Sequence, residues 1–196
     1  MKEAAPQTEP EAPHKQKSIL ALLKIKNIHA VLISFMLYCG IEQSMILWGA
    51  TYLIQTRGID AAQAAFWVSL FLGGLTLGRI LSGFATFKLN NTRMIRLGQI
   101  LIVIGLMIML LPLPNGFTLA GIIICGLGCA PIYPCILHET PVRFGKENAQ
   151  EIMGLQMACA YIGSTFLPPL LGLVGSHTSM AILPSVLLLY ATVMLF

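Results

Sequence analysis

Charged side chains are scarce in this sequence. They make up 10% of its 196 residues, whereas 56% of the residues are hydrophobic. Soluble domains carry about 25% charged residues, so the polar minority here is too small to cover a folded surface in water. The formal net charge of +4 does not indicate nucleic acid as a partner, because the basic residues form no patch. The composition predicts an integral membrane protein whose first partner is the lipid bilayer.

The sequence also lacks the local signatures of common enzymes. It has no phosphate-cradling glycine loop with a lysine, no zinc-binding His-Glu pair on a helix and no nucleophile elbow. Its five cysteines lie within apolar runs, where free thiols behave as small hydrophobes, and an odd number is not typical of a disulfide framework. Cys125 and Cys129 share a helix face, with Cys135 and His138 further on, so a soft-metal site is the alternative. We favour small residues at helix contacts, and expect neither an enzyme nor a cofactor.

Six apolar runs follow a polar amino-terminal stretch, and a membrane-spanning helix needs about 20 such residues. Turn-forming residues separate the runs, of which the third is short for a span. Residues 1–27 are expected to form a disordered tail, without the apolar core of a signal peptide, and residues 28–196 to form the membrane domain. The runs cover 28–54, 62–84, 97–113, 117–137, 152–174 and 180–196.

Lysines and arginines fall almost entirely on one set of flanks, which sets the expected orientation. The opposite set holds Arg57 alone. This asymmetry predicts six spans with both termini in the cytoplasm. The basic flanks hold Lys15, Lys17, Lys24, Lys26, Lys88, Arg93, Arg96, Arg143 and Lys146.

Glu42 lies near the middle of the first run. A carboxylate at that depth costs on the order of 2.5–3.5 kcal/mol on the insertion scale, so we expect it not to face lipid. We expect Glu42 to face a polar cavity as a proton site, an ion site or a substrate contact. The alternative is a protonated acid that bonds to a neighbouring helix and is purely structural.

Further polar and aromatic residues are candidates for the same cavity. Tyr38, Glu42, Met45, Gly49 and Tyr52 form one stripe on a helix, a pattern that suits a sugar-like polyol. The tyrosines of this stripe have a structural alternative as membrane-interface residues, and Tyr133, Gln156 and Tyr161 of the fourth and fifth runs have one as hydrogen bonds between helices. The predicted substrate-binding residues are Glu42, Gln43, Tyr38, Trp48, Tyr133, Gln156 and Tyr161.

Arg79 is the other costly residue, close to the basic end of the second run, in Gly78-Arg79-Ile80-Leu81-Ser82-Gly83. An arginine there can extend its guanidinium to the membrane surface. The functional alternative is a conformational latch, formed by Gly78, Arg79, Gly83 and Arg93, that ties the adjacent loop to a helix end in one state and releases it in another.

Together these features resemble the carboxyl-terminal half of a major facilitator superfamily transporter. Gly78-Arg79 with Lys88 and Arg93 is similar to the cytoplasmic motif between that superfamily's second and third helices, repeated between its eighth and ninth. The fucose:proton symporter family, which carries fucose, glucose, galactose and related sugars, has stretches in its seventh, eighth and tenth helices similar to Tyr38-Cys39-Gly40-Ile41-Glu42, Leu77-Gly78-Arg79 and Tyr133-Pro134.

The resemblance implies an all-α membrane fold in which six helices form two inverted three-helix repeats, half of a twelve-helix transporter that rocks about a central solute. The tail then resembles the central loop between halves, and the sixth run a clipped twelfth helix. Proton-coupling acids of the symporter family lie largely in the other half, so Glu42 is expected to bind substrate rather than protons.

The expected function is half of a secondary transporter in the cell's inner membrane that moves a small polar solute, a sugar, with proton coupling. Its partner would be the missing amino-terminal half or a second copy. One alternative is a multidrug or small-anion exporter, which predicts a wide apolar cavity with few amides. The other is a non-transporting subunit or truncated remnant, which predicts no cavity between paired copies.

Overall fold

The computed structural model describes residues 18–195, and the regular elements in that range are all helices. The short α1 precedes the apolar part of the chain, and a 3-10 turn, Met180–Ile182, leads into the last helix. The helices are α1 (Ile19–Leu23), α2 (Ile28–Arg57), α3 (Ala61–Ala85), α4 (Asn91–Leu110), α5 (Asn115–Cys129), α6 (Ile132–Phe144), α7 (Lys146–His177) and α8 (Leu183–Leu195).

Six helical segments match the six predicted runs. Five of them are long and apolar enough to cross a bilayer, namely α2, α3, α4, α5 together with α6, and α7. The 3-10 turn and α8 form a shorter apolar segment, Met180–Leu195. The prediction of an all-α membrane fold is therefore confirmed.

The largest departures from the predicted bounds lie in the third, fourth and fifth spans, and α7 begins at Lys146, well before the apolar run that starts at 152. Helix α4 begins at Asn91, six residues before the apolar run, because its first turns carry polar side chains and still form helix. The fourth span breaks around Pro131, which separates α5 from α6. Its second part continues to Phe144 through Pro141, and the chain reverses at Gly145, whose φ of 84° favours glycine.

Part of the predicted tail is folded against the bundle. Residues 1–17 lie outside the described range, but Leu22 on α1 is buried against a cluster that includes Ile28, Phe144 and Ile152. The expectation of disorder up to residue 27 is thus wrong for this segment. Leu22 lies on α1, before the first span begins at Ile28, and packs against Phe144 at the end of α6 and Ile152 near the start of α7.

The packing of the spans has the symmetry of an inverted repeat. The first span packs on the fifth (α2 on α7), and the fourth packs on the second (α5 on α3). Likewise α2 contacts α8 while α5 contacts α4, and α2 contacts α3 while α6 contacts α7. In each of these three comparisons, replacing spans one, two and three by spans four, five and six, and the reverse, turns one contact into the other. This equivalence is the arrangement of two three-helix repeats.

Glycines let α4 and α5 approach closely. A Cβ built on Gly105 would lie 2.6 Å from the carbonyl oxygen of Gly121, and one built on Gly121 would lie 2.7 Å from that of Gly105. Real Cβ atoms do not come this near to backbone oxygen, so both positions require a residue without a side chain.

The two ends of the bundle differ in charge. We call the end with the predicted basic flanks the basic end. At the opposite end the guanidinium of Arg57 donates to the carbonyl oxygens of Met109 (2.6 Å), Leu111 (2.9 Å) and Leu113 (3.3 Å). Tyr52 Oη also donates to Met109 O at 3.0 Å. These bonds join the end of α2 to Met109, near the end of α4, and to the loop that follows α4.

Candidate functional site

A cavity of about 830 Å³ opens between α2, α3, α6 and α7. Glu42 lies 14 residues into α2, roughly 21 Å from its first residue at 1.5 Å per residue, and so about halfway along this helix. From that level the cavity extends to the start of α4 at the basic end. Its polar side chains include Glu42, Gln43, Arg79, Asn91, His138 and Ser164.

Glu42 is half-buried and is bonded within its own helix. The phenol of Tyr38, one turn earlier, donates a hydrogen bond to Glu42 Oε2. Tyr38 is only 1% exposed, so its ring is fixed by packing while its hydroxyl reaches the cavity wall. The carboxylate is therefore oriented by a rigid donor, and both residues line the cavity.

Phe35 supports two of the cavity's tyrosines and was not identified from the sequence. It is fully buried, stacks on Tyr38 with ring centroids 6.3 Å apart and contacts Tyr133 at 5.2 Å. Tyr133 Oη in turn donates to Met157 Sδ at 3.4 Å. The only sequence signal was that Phe35 precedes Tyr38 by three positions and so shares its helix face.

The open side of the cavity carries Gln43 and Tyr161. Both side chains are exposed, Tyr161 by 71%, and both line the cavity. Five of the seven predicted substrate-binding residues, Tyr38, Glu42, Gln43, Tyr133 and Tyr161, therefore surround one space.

Trp48 and Gln156 do not line this cavity. Trp48 Nε1 donates to the carbonyl oxygen of Pro168 at 2.8 Å, and its indole packs against Gly172. Gln156 is fully buried and exchanges hydrogen bonds of 2.9 and 3.1 Å with Thr140 Oγ1. Both side chains join α7 to a neighbouring helix, which for Gln156 was the structural alternative.

The outer part of the predicted stripe on α2 is likewise buried in protein. Gly49 faces Val68 on α3, Met45 is 1% exposed, and Tyr52 reaches the end of α4. Only the part of the stripe nearer the basic end, Tyr38 with Glu42, faces the cavity.

The four predicted latch residues are not gathered in one cluster. Arg79 and Gly83 line the cavity near the basic end. Gly78 instead packs on α5, where a Cβ would lie 3.0 Å from the carbonyl oxygen of Leu127. Arg93 is exposed on α4. The cavity's basic end adds residues that sequence reasoning did not select, namely Ser82, Thr86, Asn91 and His138.

Comparison with known proteins gives both a sequence family and a fold. The sequence model described as Major Facilitator Superfamily matches residues 2–168. An uncharacterized MFS-type transporter of Yersinia pestis is 24% identical over 147 residues, which cover 72% of this chain and 36% of that protein. The chain thus spans about a third of that relative.

Two solved transporters share the fold. The peptide transporter POT in complex with alafosfalin has a TM-score of 0.78 at 13% identity, over 87% of this chain and 37% of that one. FucP, in an outward conformation, has a TM-score of 0.77 at 13% identity, over 96% of this chain and 46% of FucP. The six spans cover less than half of either transporter, so the chain has the fold of a six-helix half. Because the family model matches most of the sequence, the chain belongs to the Major Facilitator Superfamily.

Proposed function

We propose that this chain is the carboxyl-terminal half of a secondary active transporter that moves a small polar solute, a sugar, with proton coupling. One observation carries the proposal: a carboxylate, an amide and three phenols, from Glu42, Gln43, Tyr38, Tyr133 and Tyr161, line a single cavity. Its volume of about 830 Å³ lies within the roughly 300–1,000 Å³ of small-molecule sites.

Each of these groups suits a polyol. The phenols and the amide both donate and accept hydrogen bonds, and the tyrosine rings offer flat apolar faces to a sugar ring. Glu42 accepts from hydroxyl groups, and its protonation would change that acceptor into a donor. We assign Glu42 first to the solute, with proton coupling acting through it or through acids of the other half.

The composition of the cavity separates this proposal from its main competitor. A multidrug or small-anion exporter would favour a wide apolar cavity with few amides. Gln43 and the three tyrosines support the polar solute, whereas Gln156, which the sugar site was expected to include, bonds to Thr140 instead.

The open side of the cavity is the proposed contact with the missing amino-terminal half or with a second copy. Against lipid, the exposed Gln43 and the half-buried Glu42 would cost several kcal/mol. The excess of lysine and arginine at the basic end supports an inner-membrane orientation with both termini in the cytoplasm. In that orientation Arg79 and Gly83, two residues of the proposed latch, lie at the cytoplasmic end of the cavity.

The test is solute uptake into liposomes by this chain assembled with a matching amino-terminal half. The Glu42→Gln variant should fold but show altered sugar affinity or pH dependence of uptake, while Glu147→Gln, which removes an exposed carboxylate outside the cavity, should match the native protein. The chain alone should show no uptake. Unchanged transport by Glu42→Gln at every pH would make Glu42 structural, and uptake by a monomeric preparation of this chain would overturn the half-transporter proposal.

A further inference from the structure

The cavity between α2, α3, α6 and α7 has a second set of polar side chains at its basic end, to which the proposed function gives no contact with the solute. We call this set the basic-end group, and it consists of Arg79, Ser82, Thr86, Asn91 and His138. Arg79 lies six residues before the end of α3, and His138 lies six residues before the end of α6. Each is therefore roughly 9 Å from the end of its helix along the axis, inside the span and not at its tip.

The fold makes no use of the Arg79 guanidinium. Ser82 Oγ donates to the backbone oxygen of Arg79 at 2.9 Å, but the guanidinium has no hydrogen-bond or ion-pair partner among residues 18–195. Arg57, at the opposite end, differs because its guanidinium donates to three carbonyl oxygens. An unpaired cation within a membrane span is costly. Since Arg79 lines the cavity, the cavity is where it can meet an acceptor.

Two further side chains of the basic-end group can donate hydrogen bonds to an anion. The amide of Asn91 and the imidazole of His138 carry N–H groups, whereas the hydroxyls of Ser82 and Thr86 already donate to backbone oxygens. Among the described residues that line the cavity, Glu42 carries the one carboxylate, and it lies farther from the basic end. The cavity is therefore polarised, with positive charge at the basic end and negative charge at mid-depth.

We propose that the solute is a sugar acid, whose carboxylate binds the Arg79 guanidinium through two parallel hydrogen bonds. Asn91 and His138 offer further N–H donors at the same end of the cavity. The ring hydroxyls lie toward Glu42, which accepts from them and would repel a carboxylate in their place. This inference rests on the proposed function, because it names the class of solute for the same cavity.

The spacing of groups along α6 suits such a solute. Tyr133 and His138 are five residues apart on this helix, roughly 7.5 Å along its axis. A sugar ring beside Tyr133 therefore directs a carboxylate on its exocyclic carbon toward the basic-end group. A sugar phosphate has the same oxyanion chemistry but carries a charge of about −1.5 to −2, which the single guanidinium of Arg79 does not balance. The charge of the site favours the carboxylate.

The experiment is uptake into liposomes by this chain assembled with a matching amino-terminal half. The probes are three pairs that differ only at carbon six, namely galactose with galacturonate, glucose with glucuronate and mannose with mannuronate, together with the three hexose 6-phosphates. In at least one pair the KM for the acid should be about tenfold lower than for its neutral partner, typical of one charge-assisted interaction. The corresponding phosphate should bind less tightly than the acid.

Variants of Arg79 separate solute binding from a latch. Arg79→Gln should raise the KM for the acid about tenfold and leave the KM for the neutral hexose within twofold, so that the preference disappears. Arg79→Lys keeps the charge without the planar fork and should retain part of the preference. Lys88→Gln, which removes an exposed basic-end cation outside the cavity, should change neither value. A latch would instead change the uptake of both sugars by the same factor, which would overturn the inference.

Circular dichroism and size-exclusion chromatography of each variant confirm that it folds and assembles, so a lost preference is not mistaken for unfolding. If every neutral hexose has a lower KM than its acid, or if the preference survives Arg79→Gln, the inference is wrong while the proposed function stands. Tighter binding of a 6-phosphate would overturn the carboxylate in favour of a phosphate. If no member of any pair is taken up, the proposed sugar transport fails together with this inference.

Discussion

Trp48 and Pro168 are joined across the α2–α7 interface by a hydrogen bond of 2.8 Å from the indole Nε1 to the carbonyl oxygen. Pro168 and its neighbour Pro169 lack amide hydrogens, so α7 loses two internal hydrogen bonds in this region. Gly172 provides the space that the indole fills. Trp48 thus links α2 to α7 beside the two prolines, and it does not line the cavity.

Replacing Trp48 by Phe should test this assignment. The ring stays against Gly172 but the donor is lost, which should lower the free energy of unfolding by about 1 kcal/mol. In the assembled transporter the KM for solute should change less than twofold, because Trp48 lies outside the cavity. Unfolding in mixed micelles and solute uptake measure the two effects. A tenfold higher KM with unchanged stability would return Trp48 to the solute site.

The buried pair of Thr140 and Gln156 should show strong non-additivity. Thr140→Val leaves the Gln156 amide without its partner and should cost about 1–3 kcal/mol, whereas the double variant Thr140→Val with Gln156→Leu removes both polar groups and should cost less. A double-mutant cycle on unfolding measures the coupling. Additive losses would mean that the two side chains do not depend on each other.

The close contact of α4 with α5 predicts a position-specific effect of alanine. Gly105→Ala should destabilise the bundle by about 1–3 kcal/mol, because its Cβ meets the backbone of Gly121. Gly73→Ala is the matched control, since a Cβ there meets nothing within 4 Å, and the change should be neutral or stabilising by up to about 1 kcal/mol. Similar unfolding midpoints for the two variants would contradict this helix packing.

Arg57 should not be replaceable by Lys. The forked guanidinium reaches three carbonyl oxygens at once, and a point-like ammonium cannot, so Arg57→Lys should lose about 1 kcal/mol of stability. Arg93→Lys, at an exposed position, should stay within about 0.5 kcal/mol. The loss should persist in high salt because the acceptors are neutral carbonyls, and a loss that disappears with salt would indicate an ion pair instead.

Hydrophobic patterning predicted the number and order of the spans, because a bilayer requires each one to be continuous and apolar. It could not place their ends. The polar first turns of α4 form helix after Asn90, and Pro141 lies within α6. Leu22 was assigned to the tail because its apolar segment, Ile19–Leu23, is too short to span a bilayer and nothing in it identifies the helices that it packs against.

The part of the candidate site around Glu42 was predictable, because the depth of a carboxylate in the membrane is enough to decide that it avoids lipid. Glu42 is too costly to face lipid, and Tyr38 shares its helix face. Gln156 and Trp48 are equally suited to a solute or to a neighbouring helix, and only the positions of Thr140 and Pro168 decide between them. Phe35 looked like any other apolar residue, because its contact with Tyr133 lies on a distant part of the chain.

The break around Pro131 leaves α6 as a separate 13-residue helix. One side of this short helix contributes Tyr133 and His138 to the cavity, and another holds Thr140 against Gln156 of α7. A tilt of α6 about the break would displace both sets of residues together. If solute favours one tilt, thermodynamic reciprocity requires any change at the Thr140–Gln156 contact that shifts the tilt to change the affinity for solute as well. The hydrogen bonds between α6 and α7 would then be allosterically coupled to the cavity.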